Sequence, residues 1–264
     1  MKPITISRVT WRVRRWRFAP GLTVRYLLTT RRAIVTALLA MVPVIVVLSM
    51  AAARVQSFGI VLFQILMVPL FLQVVLIFVT IVQAGSLIRE EIDDDTLPYL
   101  LTRPISKPAV VLYKYLGYVV AMFVLLVPPL VVAYGVTEAY TGSSFGADLD
   151  VLGAFLAVTV LGGLAYGAIF TLLSVGTRRP LFAGLMFGFV WEGIVGSIPG
   201  DVPKLSVIYY LRSILQGQIA TGPLHDFGSR TSAGVAAAVI VGFTVAALIV
   251  AMLVFQQAEF KQKA

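Results

Sequence analysis

Apolar residues occur in this chain in long uninterrupted runs, and polar residues are confined to the segments between them. A helix rises about 1.5 Å per residue, so it needs about 20 residues to cross roughly 30 Å of hydrocarbon. Six runs reach or approach this length: 33–53, 58–87, 109–136, 151–175, 181–199 and 232–255. Backbone amides in lipid must be bonded within their own segment, which favours helices over open strands. The pattern predicts an all-α, polytopic membrane protein with six transmembrane helices.

Composition agrees with a location in the bilayer. Of 264 residues, 59% are hydrophobic and only 12% are charged, and the mean hydropathy is +0.95. A soluble domain could not bury so much apolar surface. The chain contains no cysteine, which excludes disulfides, thiolate chemistry and cysteine-ligated metal sites.

The positions of lysine and arginine predict the orientation. If the N-terminus is cytoplasmic, 17 of the 21 basic residues lie in segments that face the cytoplasm, as the positive-inside rule requires. The net charge of +9 is therefore interpreted as a topology signal and not as a nucleic-acid site. We expect a multi-pass protein of the cell membrane with both termini in the cytoplasm.

The regions outside the spans divide the chain further. In the N-terminal arm Val24, Leu27 and Leu28 recur at helical spacing, which is typical of a short helix lying in the membrane interface. The last outer loop, 200–230, is long enough to hold structure, and the apolar spacing that starts at Val207 predicts a short helix there. The predicted regions are 1–32 (basic arm and interfacial helix), 33–255 (transmembrane domain) and 256–264 (cytoplasmic tail).

A polar island, 89–107, separates the second and third apolar runs and reads R-E-E-I-D-D-D-T-L-P-Y-L-L-T-R-P-I-S-K. The second run is longer than the bilayer needs, so its helix is expected to continue into the cytoplasm through Glu91. Asp94 or Asp95 can cap a new short helix, which ends before Pro104. We predict a rigid helical lever that docks a soluble partner.

This segment resembles the signature of the permeases of the type-2 ABC exporter (ABC-2-like) family. That signature has an acidic pair, a Gly- or Asp-Thr-Leu step, a leucine-rich turn, a proline, and a base before the next span. The matching positions are Glu90, Glu91, Asp95, Thr96, Leu97, Leu100, Leu101, Pro104, Ser106 and Lys107, followed by Lys114. Arg89, at the start of the island, is a further candidate coupling residue. Asp95 stands where glycine is frequent in relatives. The six spans, the interfacial helix and the large outer loop extend the resemblance over nearly the whole chain.

The resemblance implies a division of labour between chains. Two copies of such a permease, here expected as a homodimer, form the substrate pathway in the membrane, and separate ABC ATPase subunits bind and hydrolyse ATP with Mg. The island 89–107 would be the coupling helix that seats in the ATPase, and this chain would be a transport subunit with no cofactor of its own. The sequence agrees on one point, because it has no G-x-x-x-x-G-K-[ST] phosphate loop.

Glu192 is the one acid deep within a predicted span, where an ionisable group is costly and is a functional candidate. It shares an i, i+4 stripe with three glycines, which predicts close helix packing: Gly184, Gly188 and Gly196. Relatives line their pathway with the second and fifth spans, so the candidate pathway residues are Gln64, Gln73, Gln83 and Glu192. For Glu192 a purely structural hydrogen bond between helices is the alternative.

Two other functions compete with an ABC permease. A membrane-embedded transferase could hold Mg²⁺ for a prenyl or lipid diphosphate through Asp93, Asp94 and Asp95, since hard oxygen ligands suit this ion. Such enzymes generally need a second acidic motif, which is not evident. A secondary transporter independent of ATP could use Glu192 as its ion group, but it would require paired repeats, and the sequence shows none.

Overall fold

The computed structural model describes residues 21, 23–55, 57–89, 106–142, 146, 148–196, 198, 200–219, 223–224 and 231–257. Within these residues the regular structure is helical and no strand occurs, which confirms the all-α class. The main helices are α1 (Arg32–Ala52), α2 (Ile60–Gly85), α3 (Lys107–Thr141), α4 (Leu149–Gly176), α5 (Pro180–Val195), α6 (Val207–Gln218) and α7 (Ala233–Gln257).

Five of these helices, α1, α2, α3, α4 and α7, are long and apolar enough to cross a membrane. The apolar run predicted to be the fifth of six spans forms the shorter α5, which at 1.5 Å per residue extends only about 24 Å. It stops at Val195 because Gly196 begins a turn, and Gly200 then takes a left-handed φ of +101°. The described helices therefore support five candidate spans, and the predicted count of six is not reached by helix length.

Three of the apolar helices are irregular. Helix α1 is interrupted by a turn at Met41, just before Pro43. Helix α2 contains a π-helical segment, Val68–Val75, whose second residue is Pro69; proline lacks the N–H that an α-helical bond would need. Helix α5 contains a second π-helical segment, Met186–Trp191. Wide turns of this kind occur frequently at functional sites.

Helix α4 lies at the centre of the bundle and packs against α2, α3, α6 and α7. Its contact with α3 is very close because two glycines face large side chains. A Cβ at Gly163 would lie 2.5 Å from Met122, and one at Gly167 would lie 2.2 Å from the ring of Tyr118. The Tyr118 hydroxyl donates to the Gly163 carbonyl at 2.8 Å. The small residues of α4 thus set the distance between these two helices.

The apolar spacing that starts at Val207 forms α6, as predicted. Helix α6 packs on α4 and α7, and a short 3₁₀ helix, Val202–Leu205, leads into it. Its buried residues are Val207, Ile208, Leu211, Ser213, Ile214 and Leu215.

At the other end of the chain residues 23–29 are helical, with Leu27 buried and Arg25 exposed. Thr30 has extended backbone, with ψ of 153°, and separates this helix from the first span. The one-sided burial of helix 23–29 agrees with the amphipathic pattern, and the location of this helix at the membrane interface stays a prediction.

The end of α2 differs from the prediction that the helix continues through Glu91. Helix α2 ends at Gly85, and residues 86–88 form a turn in which the Leu87 amide donates to the Ala84 carbonyl at 3.3 Å. The Ser86 hydroxyl donates back to the Val82 carbonyl at 3.0 Å. The backbone that follows is bonded by side chains of other helices.

Candidate coupling and pathway sites

The polar island 89–107 is described only at its ends. Arg89 and Ser106–Lys107 are placed, and α3 begins at Lys107 with Pro108 in its first turn. Ser106 is the N-cap residue but its side chain makes no capping bond. The other candidate coupling residues lie outside the described part of the chain: Glu90, Glu91, Asp95, Thr96, Leu97, Leu100, Leu101 and Pro104.

Two side chains from other helices hold the stretch where α2 leads into the island. The Ser174 hydroxyl, near the end of α4, accepts from the backbone amides of Ile88 and Arg89, each at 3.1 Å. The Lys114 ammonium, in the second turn of α3, donates to the Leu87 carbonyl. These groups are orphaned by the stop of α2, so Ser174 and Lys114 supply the partners that helix continuation would have supplied. We name Ser174, Lys114 and residues 87–89 the α2 anchor.

At the far end of the island Lys107 reaches a different helix. Its ammonium group lies 3.5 Å from the Gln256 carbonyl near the end of α7, which is a long and weak hydrogen bond. Lys107 therefore also contacts the bundle, through α7.

The glycine stripe of α5 packs against α2. A Cβ at Gly184 would lie 3.3 Å from Ile81, and one at Gly188 would lie 2.4 Å from Ile77. The rings of Phe78 and Phe189 add a tilted contact with centroids 5.0 Å apart. Gly196, the last member of the stripe, lies beside Ile208 of α6 instead. The two helices that carry π-helical segments thus share one close seam.

The candidate pathway glutamines occupy different environments on α2. Gln64 and Gln83 are buried in the bundle, and the Gln83 amide donates to the Thr36 hydroxyl of α1 at 3.0 Å. Gln73 lies in the π-helical segment and is half-buried. Of the three, Gln73 has the side chain that reaches the surface of the chain, where a pathway shared with another copy would run.

Glu192 holds the start of α6. Its side chain is 0% exposed, and it accepts three hydrogen bonds: from the Val207 amide at 3.1 Å, the Ile208 amide at 3.0 Å and the Ser206 hydroxyl at 2.6 Å. Free amides at a helix N-terminus favour a negative charge. An acceptor in all three bonds behaves as a carboxylate, so the structure gives Glu192 a structural task. Its place on the pathway stays a prediction.

Two further polar residues surround Glu192 that sequence reasoning missed. The hydroxyl of Tyr166, on α4, and the guanidinium of Arg212, on α6, both interact with it electrostatically. Burial lowers the pKa of Arg212, and Tyr166 and Glu192 oppose that shift. Arg212 is the only base within α6, which was the available signal, but its partner was 20 positions away in sequence and on another helix.

The described residues contain no group of three or more His, Asp or Glu side chains that could hold a metal ion. Asp93, Asp94 and Asp95, which carried the transferase alternative, lie outside them. A second buried acid, Glu138 near the C-terminal end of α3, interacts with Asp148 at the start of α4. Its Oε2 atom has no hydrogen-bond partner among the described residues.

Comparison with known families gives one match. Residues 29–198, more than half of the chain, match the family model described as ABC-2 family transporter protein. The matched region runs from before α1 to just past α5 and includes the island, the α2 anchor and the seam between α2 and α5. A search of curated proteins found no matching relative.

Proposed function

The chain belongs to the ABC-2 family of transporter proteins as a permease, and from this premise we propose that it is the pathway-forming subunit of an ABC exporter driven by separate ATPase subunits. Residues 89–107 are its coupling segment. ATP and Mg are bound by the partner, and this chain holds no cofactor. The family match is the observation that carries the proposal, because it assigns the chain to membrane transport and not to lipid-diphosphate transfer.

Two features support residues 89–107 as the place where the ATPase acts. The segment is acidic and leucine-bearing between two apolar runs, in the order of the family signature. Its entry is tied to α3 and α4 by Lys114 and Ser174. A force applied at this entry would reach α3 and α4 through these bonds.

The membrane arrangement we propose has six spans, of which α5 with the residues that follow it is the fifth. Helix α6 then lies on the outer side, and both termini are in the cytoplasm of a cell-membrane protein. Two copies assemble with two ATPase subunits. The pathway runs along the α2–α5 seam and includes Gln73, a half-buried polar residue in the π-helical segment of α2.

The coupling role is tested by Leu97→Asp, with Leu97→Met as the matched control and Glu91→Ala as a second variant. A charge placed in an apolar groove of the partner costs several kcal/mol unless it is paired, so we expect recovery of the ATPase with tagged permease to fall by about tenfold or more. Leu97→Met conserves volume and is expected to retain the ATPase. The measurement is quantitative co-purification from native membranes, with membrane insertion checked by labelling.

Glu91→Ala is expected to retain insertion while ATP hydrolysis no longer drives transport. If wild-type permease recovers no ATPase from its own membranes, the proposed function is wrong. Equal recovery with Leu97→Asp and wild type would instead move the docking surface away from residues 89–107.

A further inference from the structure

The α2 anchor has a geometry that points beyond fold stability. Helix α2 does not run smoothly into the island but stops at Gly85, and the next backbone groups are bonded by other helices. The bonds join segments 86 positions apart for Ile88 and Ser174 and 27 apart for Leu87 and Lys114. The junction between the island and the bundle is thus made of side chain to backbone bonds.

The bonds at this junction determine which helices move when the island is displaced. The Ser174 hydroxyl links residues 88–89 to α4, the central helix of the bundle. The Lys114 ammonium links Leu87 to α3. The side chains of Leu87 and Ile88 are also buried in the core, so these bonds fix the backbone of a turn that already packs against the bundle.

We propose that Ser174 and Lys114 are positioning residues that transmit movement of segment 89–107 to α4 and α3. They determine how large a conformational change of the membrane helices follows each ATP hydrolysed. This inference rests on the proposed function and deepens it by naming the residues through which coupling passes. Neither residue needs to touch the ATPase or the cargo.

Helix α4 supplies a matched control for Ser174. Thr171 lies one turn earlier and is buried to the same extent, at 0% exposed for both residues. Its hydroxyl has no hydrogen-bond partner among the described residues. Thr171→Val and Ser174→Ala therefore each remove one buried hydroxyl from the same turn region, and only Ser174→Ala removes the bonds to residues 88–89.

The first measurement is hydrogen–deuterium exchange of the full chain in its complex. Ser174→Ala is expected to speed exchange of the Ile88 and Arg89 amides by about tenfold, because each loses its acceptor. Thr171→Val is expected to leave these amides at the wild-type rate. Unchanged exchange in Ser174→Ala would overturn the inference, because the anchor would then not exist in the working protein.

The second measurement reads coupling without knowledge of the cargo. The chain has no native cysteine, so Asp201→Cys, at an exposed position between α5 and α6, accepts a single fluorescent bimane label. In the permease–ATPase complex we expect the label to respond to ATP with vanadate. Ser174→Ala should reduce this response about twofold or more while ATP hydrolysis stays within about twofold of wild type, since two hydrogen bonds are lost at the junction only.

Lys114→Met keeps the aliphatic side chain and removes the donor, so it should reproduce the effect of Ser174→Ala, and it carries the test if Ser174→Ala fails to fold. Lys114→Arg restores a donor and should recover most of the response. Suppose that exchange at residues 88–89 rises in Ser174→Ala, but the label response per ATP stays at the wild-type level in both Ser174→Ala and Lys114→Met. This result would overturn the inference and leave the proposed function standing. A wild-type complex that hydrolyses ATP with no label response would overturn the proposed function, and the inference with it.

Discussion

Glu192→Gln is expected to destabilise the protein although the two side chains have nearly the same shape. The carboxylate receives three donors, from Val207, Ile208 and Ser206. A glutamine offers one oxygen, and its NH₂ group would face donors and leave at least one buried amide unpaired. We expect the free energy of unfolding to fall by about 2 kcal/mol, and by about 3 kcal/mol or more for Glu192→Ala. Thermal and SDS titrations of purified protein in detergent measure both.

Glu138→Gln is the matched control, because Glu138 is also a buried acid, 2% exposed, but its Oε2 atom has no partner among the described residues. Neutralising Glu138 also removes the charge repulsion between its side chain and Asp148. We therefore expect the free energy of unfolding to change by no more than about 0.5 kcal/mol, or to rise slightly. Equal losses in Glu192→Gln and Glu138→Gln would contradict a capping role for Glu192.

The same pair of variants separates the two interpretations of Glu192. A capping residue is expected to lower stability when it is replaced by glutamine, and to alter transport only as far as α6 is loosened. A pathway residue would change the selection of cargo in a protein that unfolds at the wild-type temperature. The three bonds to the start of α6 favour the first outcome.

Gly167→Ala should be the most damaging addition of a single methyl group. The new Cβ would lie 2.2 Å from the Tyr118 ring, far inside van der Waals contact. Tyr118 cannot swing away easily because it is fully buried and its hydroxyl is bonded to the Gly163 carbonyl at 2.8 Å. The clash can then be removed only if α3 and α4 move apart, which we expect to lower the free energy of unfolding by about 3 kcal/mol. The measurement is again the unfolding midpoint.

Gly153→Ala is the control on the same helix. Nothing lies within 4 Å of the position that its Cβ would take, so the substitution gains helix propensity and should stabilise the protein by about 0.5 kcal/mol. Gly163→Ala should fall between the two, because the side chain it meets is the flexible Met122. Equal effects at Gly153 and Gly167 would mean that α3 and α4 do not approach as closely as described.

Sequence reasoning predicted well wherever one local property decided the outcome. Unbroken apolar length located the helices, because lipid leaves backbone groups no partner outside their own segment. The buried face of α6 followed from the helical spacing of its apolar residues. The order of charged and apolar residues in 89–107 indicated the family that residues 29–198 match.

Where two elements meet, the same reasoning was insufficient. Apolar length alone suggested that α2 continues through Glu91, yet α2 stops at Gly85, and it gave no sign that α5 ends at Val195. After α2 the backbone is bonded by Ser174 and Lys114, and the start of α6 is bonded by Glu192. Hydropathy does not contain this information.

By itself the sequence determined that this protein is a helical membrane permease, since hydrophobic length, charge asymmetry and motif order are properties of the chain read locally. Tertiary structure alone decided which groups the buried polar residues bond. Glu192 accepts three hydrogen bonds at the start of α6, and its place on the pathway stays a prediction. Ser174 had no signal in the sequence, and its hydroxyl accepts from residues 88–89. A hydrogen bond requires a partner at about 3 Å, and only folding brings residues this distant in the chain so close together.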